Sequence, residues 1–322
     1  MHAIWLSALA MGALALSAAP APAQEPYPSR PVRIVVGFGP GSSADIVARD
    51  IAQKLGQTLG QQFVVENRPG AGSNIGTDYV ARAQKDGYTL LMATVANTIN
   101  ATLTPNPTFD FQKDLAPITL VAAVPILLVA HPGLGVADVR SLIALAKRQP
   151  EQIFFGSSGA GTGNHLAGEL FNVMAGVRLV HVPYPGSAQA LTDLIAGRIS
   201  LMFSAASTTL PHVETGKLIA LAMAQPARAA IAPDIPSMTE AGLPGFDTSV
   251  WFGLLAPAGT SPDIVAALSR ATNAALKSAD VVAPLRAQGM EPIGGSPGEF
   301  AAYIRSETAK WAPVVAAAGL KK

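Results

Sequence analysis

Short β-branched runs alternate with segments whose apolar residues recur at helical spacing, and this alternation fills most of the chain. Val32 to Val36 is one such run, suited to a strand buried on both faces of a parallel sheet. Behind it, Ser42-Ser43-Ala44-Asp45 resembles a capping box, and Ile46, Val47, Ile51 and Leu55 fall on one helical face. A second strand, Phe63 to Val65, runs into "ENRPGAGSNIG", then a helical segment reaching Arg82, then "DGYTLLMAT" as a third strand. Strand, helix, strand, helix, strand predicts a parallel sheet with right-handed crossovers.

The order returns from Ile153: strand "IFF", glycine turn "GSSGAGTGN", helix "HLAGELFNVMA", strand "RLVHVPY", turn "PGSAQ", helix "ALTDLIAG", strand "ISLMFS". Glycine turns, Pro-Gly turns and third strands of the two units lie at nearly constant offsets, which predicts two α/β lobes of one plan. Two long apolar segments, Ile118 to Gly133 and Ser249 to Thr260, read as strands crossing between the lobes. Two further helices, each opened by a Ser-Pro pair at Ser261-Pro262 and Ser296-Pro297, return to the first lobe. The division expected is residues 24–124 with 251–322 for lobe 1 and 125–250 for lobe 2. Two strands joining two lobes make a hinge with a cleft.

Composition narrows what such a cleft can serve. The chain has 322 residues, 49% of them hydrophobic, enough for two sizeable cores. Lys+Arg total 22 against Asp+Glu 21, for a net charge of +1 with no basic run. Nucleic acid and anionic lipid are therefore not expected as partners. Residues 1–23 carry no Asp, Glu, Lys or Arg and end in Ala21-Pro22-Ala23, the pattern of a cleavable secretory signal that would leave Gln24 first. With 0 cysteines there is no disulfide, no thiolate and no lipid anchor, so the mature chain is expected free in a periplasm. The 5 histidines show no zinc spacing, and no metal or cofactor is expected.

The glycine turns admit three chemistries. Gly39-x-Gly41-x-x-Ala44 after a strand, with Glu66 closing the next strand, fits a dinucleotide fingerprint and an exported nucleotide-binding enzyme, though Pro40 interrupts it. Gly156-x-Ser158-x-Ala160 approaches a nucleophile elbow, with His131, His165, His181 or His212 as its base, but Ala160 breaks the motif. The third chemistry is capture of an anion by backbone N–H groups at a helix start, which needs no cation. Matching turns in both lobes would then face each other across the cleft, with Gly41 and Gly161 approaching the anion most closely.

Several long segments resemble the periplasmic receptors of tripartite tricarboxylate transporters, the Bug-type receptors: "YPSRPVRIVVGF" with "PGSSADIVAR", "GQQFVVENRPGAGSNIGTDYVARAQKDGYTLL", "FGSSGAGTGNHLAGELF", "HVPYPGSAQALTDLIAGRISLMF" and "GLLAPAGTSPDIV". The resemblance implies a two-lobe, type II-like binding fold that closes on a small organic carboxylate, does no catalysis, acts as a monomer and docks on integral membrane transporter subunits. It places one pincer on Phe38, Gly39, Pro40, Gly41, Ser42 and Ser43. The other falls on Ser157, Ser158, Gly161, Thr162 and Asn164, with Thr94 and Ser204 at strand ends and Tyr184 at the rim. Three positions depart from the family's habit. Gly41-Ser42 stands where two glycines are common, Pro185 where lysine is frequent, and Ser204 where an acid often sits. A positive φ at Ser42 would be strained.

Overall fold

The computed structural model describes residues 27–103, 108–159, 162–184 and 186–317; the expected signal segment, Gly161 and Pro185 lie outside them. The first unit runs β1 (Val32–Val36), α1 (Ser43–Leu59), β2 (Phe63–Asn67), α2 (Asn74–Ala81), β3 (Thr89–Thr94) and α3 (Val95–Leu103). The chain then crosses through β4 (Leu115–Val124) and β5 (Ile126–Ala130), and α4 (Val139–Arg148) follows. The second unit is β6 (Phe154–Ser157), α5 (Gly163–Ala175), β7 (Val180–Pro183), α6 (Ser187–Ile195), β8 (Leu201–Ala205), α7 (Ala206–Glu214) and β9 (Ile219–Met223). The return comprises β10 (Val250–Pro257), α8 (Pro262–Ala275), α9 (Ala279–Ala287), β11 (Glu291–Pro292) and α10 (Pro297–Ala317).

Two sheets result, ordered β11-β4-β10-β3-β1-β2 and β7-β6-β8-β5-β9. Neither is purely parallel, which corrects the sequence reading. In the first, β10 runs antiparallel between β3 and β4; in the second, β5 runs antiparallel between β8 and β9. Each inserted strand enters from the opposite lobe, so it arrives at the far end of the sheet and must run against its neighbours. The expected long strand across Ile118 to Gly133 is two strands, β4 and β5, parted at Pro125. Proline has no N–H to give a ladder, so the break falls there. The second crossing precedes β10, where the Thr248 N–H donates to the Ala224 carbonyl at 2.9 Å.

The caps differ from one another in chemistry. Ser296 Oγ accepts from the Glu299 N–H while Glu299 Oε2 accepts from the Ser296 N–H, closing a capping box on α10. Ser261 occupies the N-cap of α8 with Pro262 next, but its hydroxyl makes no capping bond. One apolar core unites β1, β3, β4 and β10 with the face of the second sheet that carries Phe155 and Phe203 and with Phe171 of α5. A smaller core on the other face of the second sheet gathers Leu127, Val129, Leu194, Met202 and Met223. Helix α10 packs on α3 and β4 and also on α5, so it touches both lobes. Beneath it, the buried Glu307 carboxylate accepts from Trp251 Nε1 at 3.1 Å, from Trp311 Nε1 at 3.3 Å and from Lys310 Nζ. Burial pushes the Glu307 carboxyl above its ordinary value against the pull of Lys310, and the Lys310 ammonium also donates to the Asp247 carbonyl beside the second crossing.

Candidate ligand cleft between the two sheets

In the first turn the left-handed backbone falls on Gly41, at φ 79°, while Ser42 is extended at φ −68°. Serine in place of a second glycine is therefore unstrained. Ser42 caps α1 by accepting from the Asp45 N–H at 3.3 Å. Asp45, 3% exposed, is the hub behind the loop. It accepts from the Gly41 N–H at 2.9 Å, from Asn67 Nδ2 at 2.9 Å and from the Arg49 guanidinium at 2.9 Å and 3.0 Å. Asn67 Nδ2 also donates to the Phe38 carbonyl at 2.9 Å. Burial resists ionisation of Asp45, but the bonds from Arg49, Gly41 and Asn67 outweigh it and hold the carboxyl below its ordinary value. The Gly41 N–H thus serves Asp45 and is not the open anion donor that the sequence pattern suggests. Glu66 is held by Arg33 at 3.0 Å and Arg68 at 2.5 Å, an engagement that leaves the dinucleotide pattern without its ribose acid.

The second turn is built on a neutral hub. Ser157 Oγ, fully buried, lies 2.6 Å from His181 Nε2, accepts from the Gly159 N–H at 3.1 Å and lies 3.0 Å from the Gly159 carbonyl. That carbonyl also receives Thr162 Oγ1 at 2.7 Å, just before α5 begins. Ser158 Oγ donates to Asn164 Oδ1 at 3.2 Å, and Asn164 Nδ2 donates to the Phe203 carbonyl. The Ser158 hydroxyl is thus directed to an amide, which does not supply the base the elbow reading needs. Tyr184 donates to Asp193 at 2.9 Å and its N–H to the Ser157 carbonyl at 3.1 Å, which ties β7 to α6. Thr94, buried at the end of β3, accepts from the Ala96 N–H through its hydroxyl at 3.2 Å.

A cavity of about 210 Å³ lies where the two sheets meet. Its walls include Ser43 from the first turn, Asn164 from the second, and Ser204 at the end of β8. The other expected residues described, Phe38 through Ser42, Thr94, Ser157, Ser158, Thr162 and Tyr184, are not among those lining this cavity. Sequence reasoning missed Gly163, Ser187, Ala205 and Thr208, and the crossing residues Val124, Ile126, Thr248 and Val250, which complete the lining. Ser187 opens the helix after the second Pro-Gly turn, a position the repeat already marked. The crossing residues flank Pro125 and the second crossing and carried no such signal.

Four helices begin at this cavity: α1 at Ser43, α5 at Gly163 and Asn164, α6 at Ser187, and α7 beside Ser204 and Ala205. Each start carries N–H groups without an intrahelical acceptor and about half a positive charge. Among the described residues, no Lys, Arg, His, Asp or Glu lines the cavity. Among the described residues, no group of three or more His, Asp or Glu side chains could hold a metal ion.

Paired α/β lobes, each with an antiparallel strand that enters its sheet straight from a crossing, and a cleft lined by helix starts define a two-lobe solute-binding protein. The chain belongs to the tripartite tricarboxylate transporter family receptors, whose family model matches residues 47–320. It is 38% identical to BugT of Bordetella pertussis over 297 residues, 92% of this chain and 91% of BugT. Among solved structures it is similar to R. palustris Rpa4515 with adipate, at 37% identity and TM-score 0.72, covering 91% of this chain and 98% of that one. It is likewise similar to MatC (Rpa3494) from Rhodopseudomonas palustris with bound malate, at 31% identity and TM-score 0.70, covering 90% and 100%. No helix among the described residues is long and apolar enough to cross a membrane.

Proposed function

We propose that this protein is a periplasmic receptor whose lobes, residues 24–124 with 251–322 and residues 125–250, close on a small non-amino organic carboxylate. The closed form is then recognised by integral membrane subunits of a tripartite transporter; the receptor works as a monomer, needs no cofactor and performs no catalysis. The mature chain starts at Gln24, after signal removal. The observation that carries this reading is the convergence of four helix starts on a cavity without a charged side chain. In a partly buried geometry each helix start attracts an anion by up to ~2 kcal/mol.

The same walls narrow the ligand. A volume of about 210 Å³ corresponds to about seven waters of liquid, which suits a compact acid. Ser43, Asn164, Ser187, Ser204, Thr208 and Thr248 offer hydroxyl and amide groups, while Val124, Ile126 and Val250 offer an apolar wall for a carbon chain. No carboxylate stands ready for an ammonium, so an α-amino acid would bury an unpaired charge. Adipate and malate, the ligands in the related structures, serve as probes. Calorimetric titration with adipate, malate, aspartate and glutamate is expected to give saturable binding of a non-amino diacid and at least about tenfold weaker binding of the amino acids. Preference for aspartate or glutamate would sink the ligand class, and micromolar binding of NAD would restore the exported nucleotide enzyme.

A further inference from the structure

The chemistry beneath the second turn goes further than anion capture requires. His165 and His181 lie face to face, with ring centroids 3.7 Å apart and planes 19° apart, and the Phe155 ring sits 5.2 Å from His181 on the neighbouring strand. His165 is the third residue of α5, whose first two residues line the cleft. His181 reaches Ser157 Oγ, and Ser157 in turn fixes both polar groups of Gly159, whose carbonyl receives Thr162 at the start of α5. A continuous path of contacts therefore runs from one imidazole to the N-terminus of a ligand-facing helix.

We propose that His181 is a positioning residue for the second ligand turn, acting through Ser157 with His165 as its stacking support, and that ligand capture consequently weakens in acid. The proposal rests on the receptor reading above for its ligand, but not for its loop geometry. The charged and titratable groups facing His181 are few. Helix α5 contributes His165 and Glu169, whose carboxylate is 3.6 Å from His165 Nε2; β6 contributes only the neutral Ser157 and Phe155. Asp193 on α6 is engaged by Tyr184 and Arg198. Burial, then the neighbouring His165, lowers the His181 imidazole to about 4 from 6.5, against the smaller pull of Glu169. The neutral ring is therefore the form that fits this packing. An arrangement that lets His181 out to water recovers its ordinary basicity, so acidification from about 6.5 towards about 4 favours that opened arrangement over the packed one.

The test reads the turn directly, by hydrogen exchange at the Gly159 amide in the ligand-free protein at pH 7.5 and pH 5, corrected for intrinsic rates, in the parent, His181→Phe and His181→Gln. Phenylalanine keeps a ring for the stack and removes the bond to Ser157; glutamine restores a neutral polar nitrogen that does not titrate. The parent is expected to lose protection about tenfold at the lower pH, His181→Phe to be unprotected at both, and His181→Gln to be protected at both. Calorimetry with adipate and malate is expected to show the same ordering, with the His181→Gln protein removing the acids' own ionisation from the comparison. Unchanged Gly159 protection in His181→Phe, or the same acid loss in His181→Gln as in the parent, overturns the proposal. Failure of both acids to bind any of the three proteins refutes the carboxylate reading, while the exchange rates still decide the role of His181.

Discussion

The two ligand turns solve one geometric problem with opposite chemistry. Each must hold a glycine-containing loop against the start of a helix so that the helix faces the cleft. The first does so with an ion, Asp45, which receives Gly41, Asn67 and Arg49. The second uses neutral groups, Ser157 and His181, with a second imidazole stacked behind. A charged hub gives stronger bonds and tolerates acid until the carboxylate itself is protonated. A neutral hub avoids burying an ion, but it depends on an imidazole remaining uncharged. The duplicated backbone plan thus leaves the two lobes with different chemical tolerances.

The largest expected effect erases the comparison by closing the cleft itself. Gly163 stands at the start of α5, and a Cβ added there would lie 3.9 Å from Val250 across the cavity. Gly163→Leu should fold normally and lose at least about a hundredfold in affinity, about 2.8 kcal/mol. Titration with adipate and malate, with circular dichroism as the control, reads this.

Next comes the charged hub. Asp45→Ala leaves the Gly41 N–H, the Asn67 amide and Arg49 without their common acceptor, at a cost of about 2–3 kcal/mol. The melting temperature should fall by about 2 °C per kcal/mol in a chain of this size, and affinity should fall with it. Asp45→Asn keeps an acceptor oxygen and should cost about half as much. Equal losses for the two variants would show that charge rather than hydrogen bonding organises the first turn.

A gentler probe is pH. The stability contributed by the neutral His181 is complete above about 6.5 and drains away as pH falls towards about 4, because the unfolded chain takes up the proton first. Asp45 titrates with the same sign but in a lower window, since its carboxyl is held below 3.8 when folded. What it contributes is complete above that value and is lost only below it. Between pH 6.5 and 4 the Gly159 amide should therefore lose protection while the Gly41 amide keeps its own; parallel loss at both would dissolve the contrast. The smallest effect separates the caps. Ser42→Ala removes a bond to the Asp45 N–H and should cost about 1 kcal/mol, whereas Thr162→Ala removes only a bond within the loop, because Thr162 makes no side-chain cap to α5. Urea midpoints of the two variants give the ranking.

Much of this was legible in the sequence for physical reasons. Val32 to Val36 and the helix from Ser43 are announced by β-branching, a capping serine and helical spacing, all local signals. The repeat of glycine turns marked both loops as facing the cleft because strand and helix order sets where a helix start points, and the family resemblance narrowed them to residues including Ser43 and Asn164. The direction of β10 and β5 was hidden, since an apolar strand reads the same whichever way it runs through a sheet. Helix α7, with Pro211 inside it, carries a weaker local signal. The stacking of His165 on His181 was also out of reach, because it joins α5 to β7 across the sheet face and leaves no periodic trace.

The position of β10 also carries a consequence in time. It lies between β3 and β4 in the middle of the first sheet, yet it begins at Val250, after the whole second lobe. Until that residue leaves the ribosome, β3 and β4 each present an open edge with no partner between them, and α10, which packs against both lobes, is later still. The lobe that begins first is thus completed last. A chain cut at the second crossing would leave a first lobe with a slot through its centre, so the two halves of this molecule cannot be expressed as independent modules without moving β10 to the front.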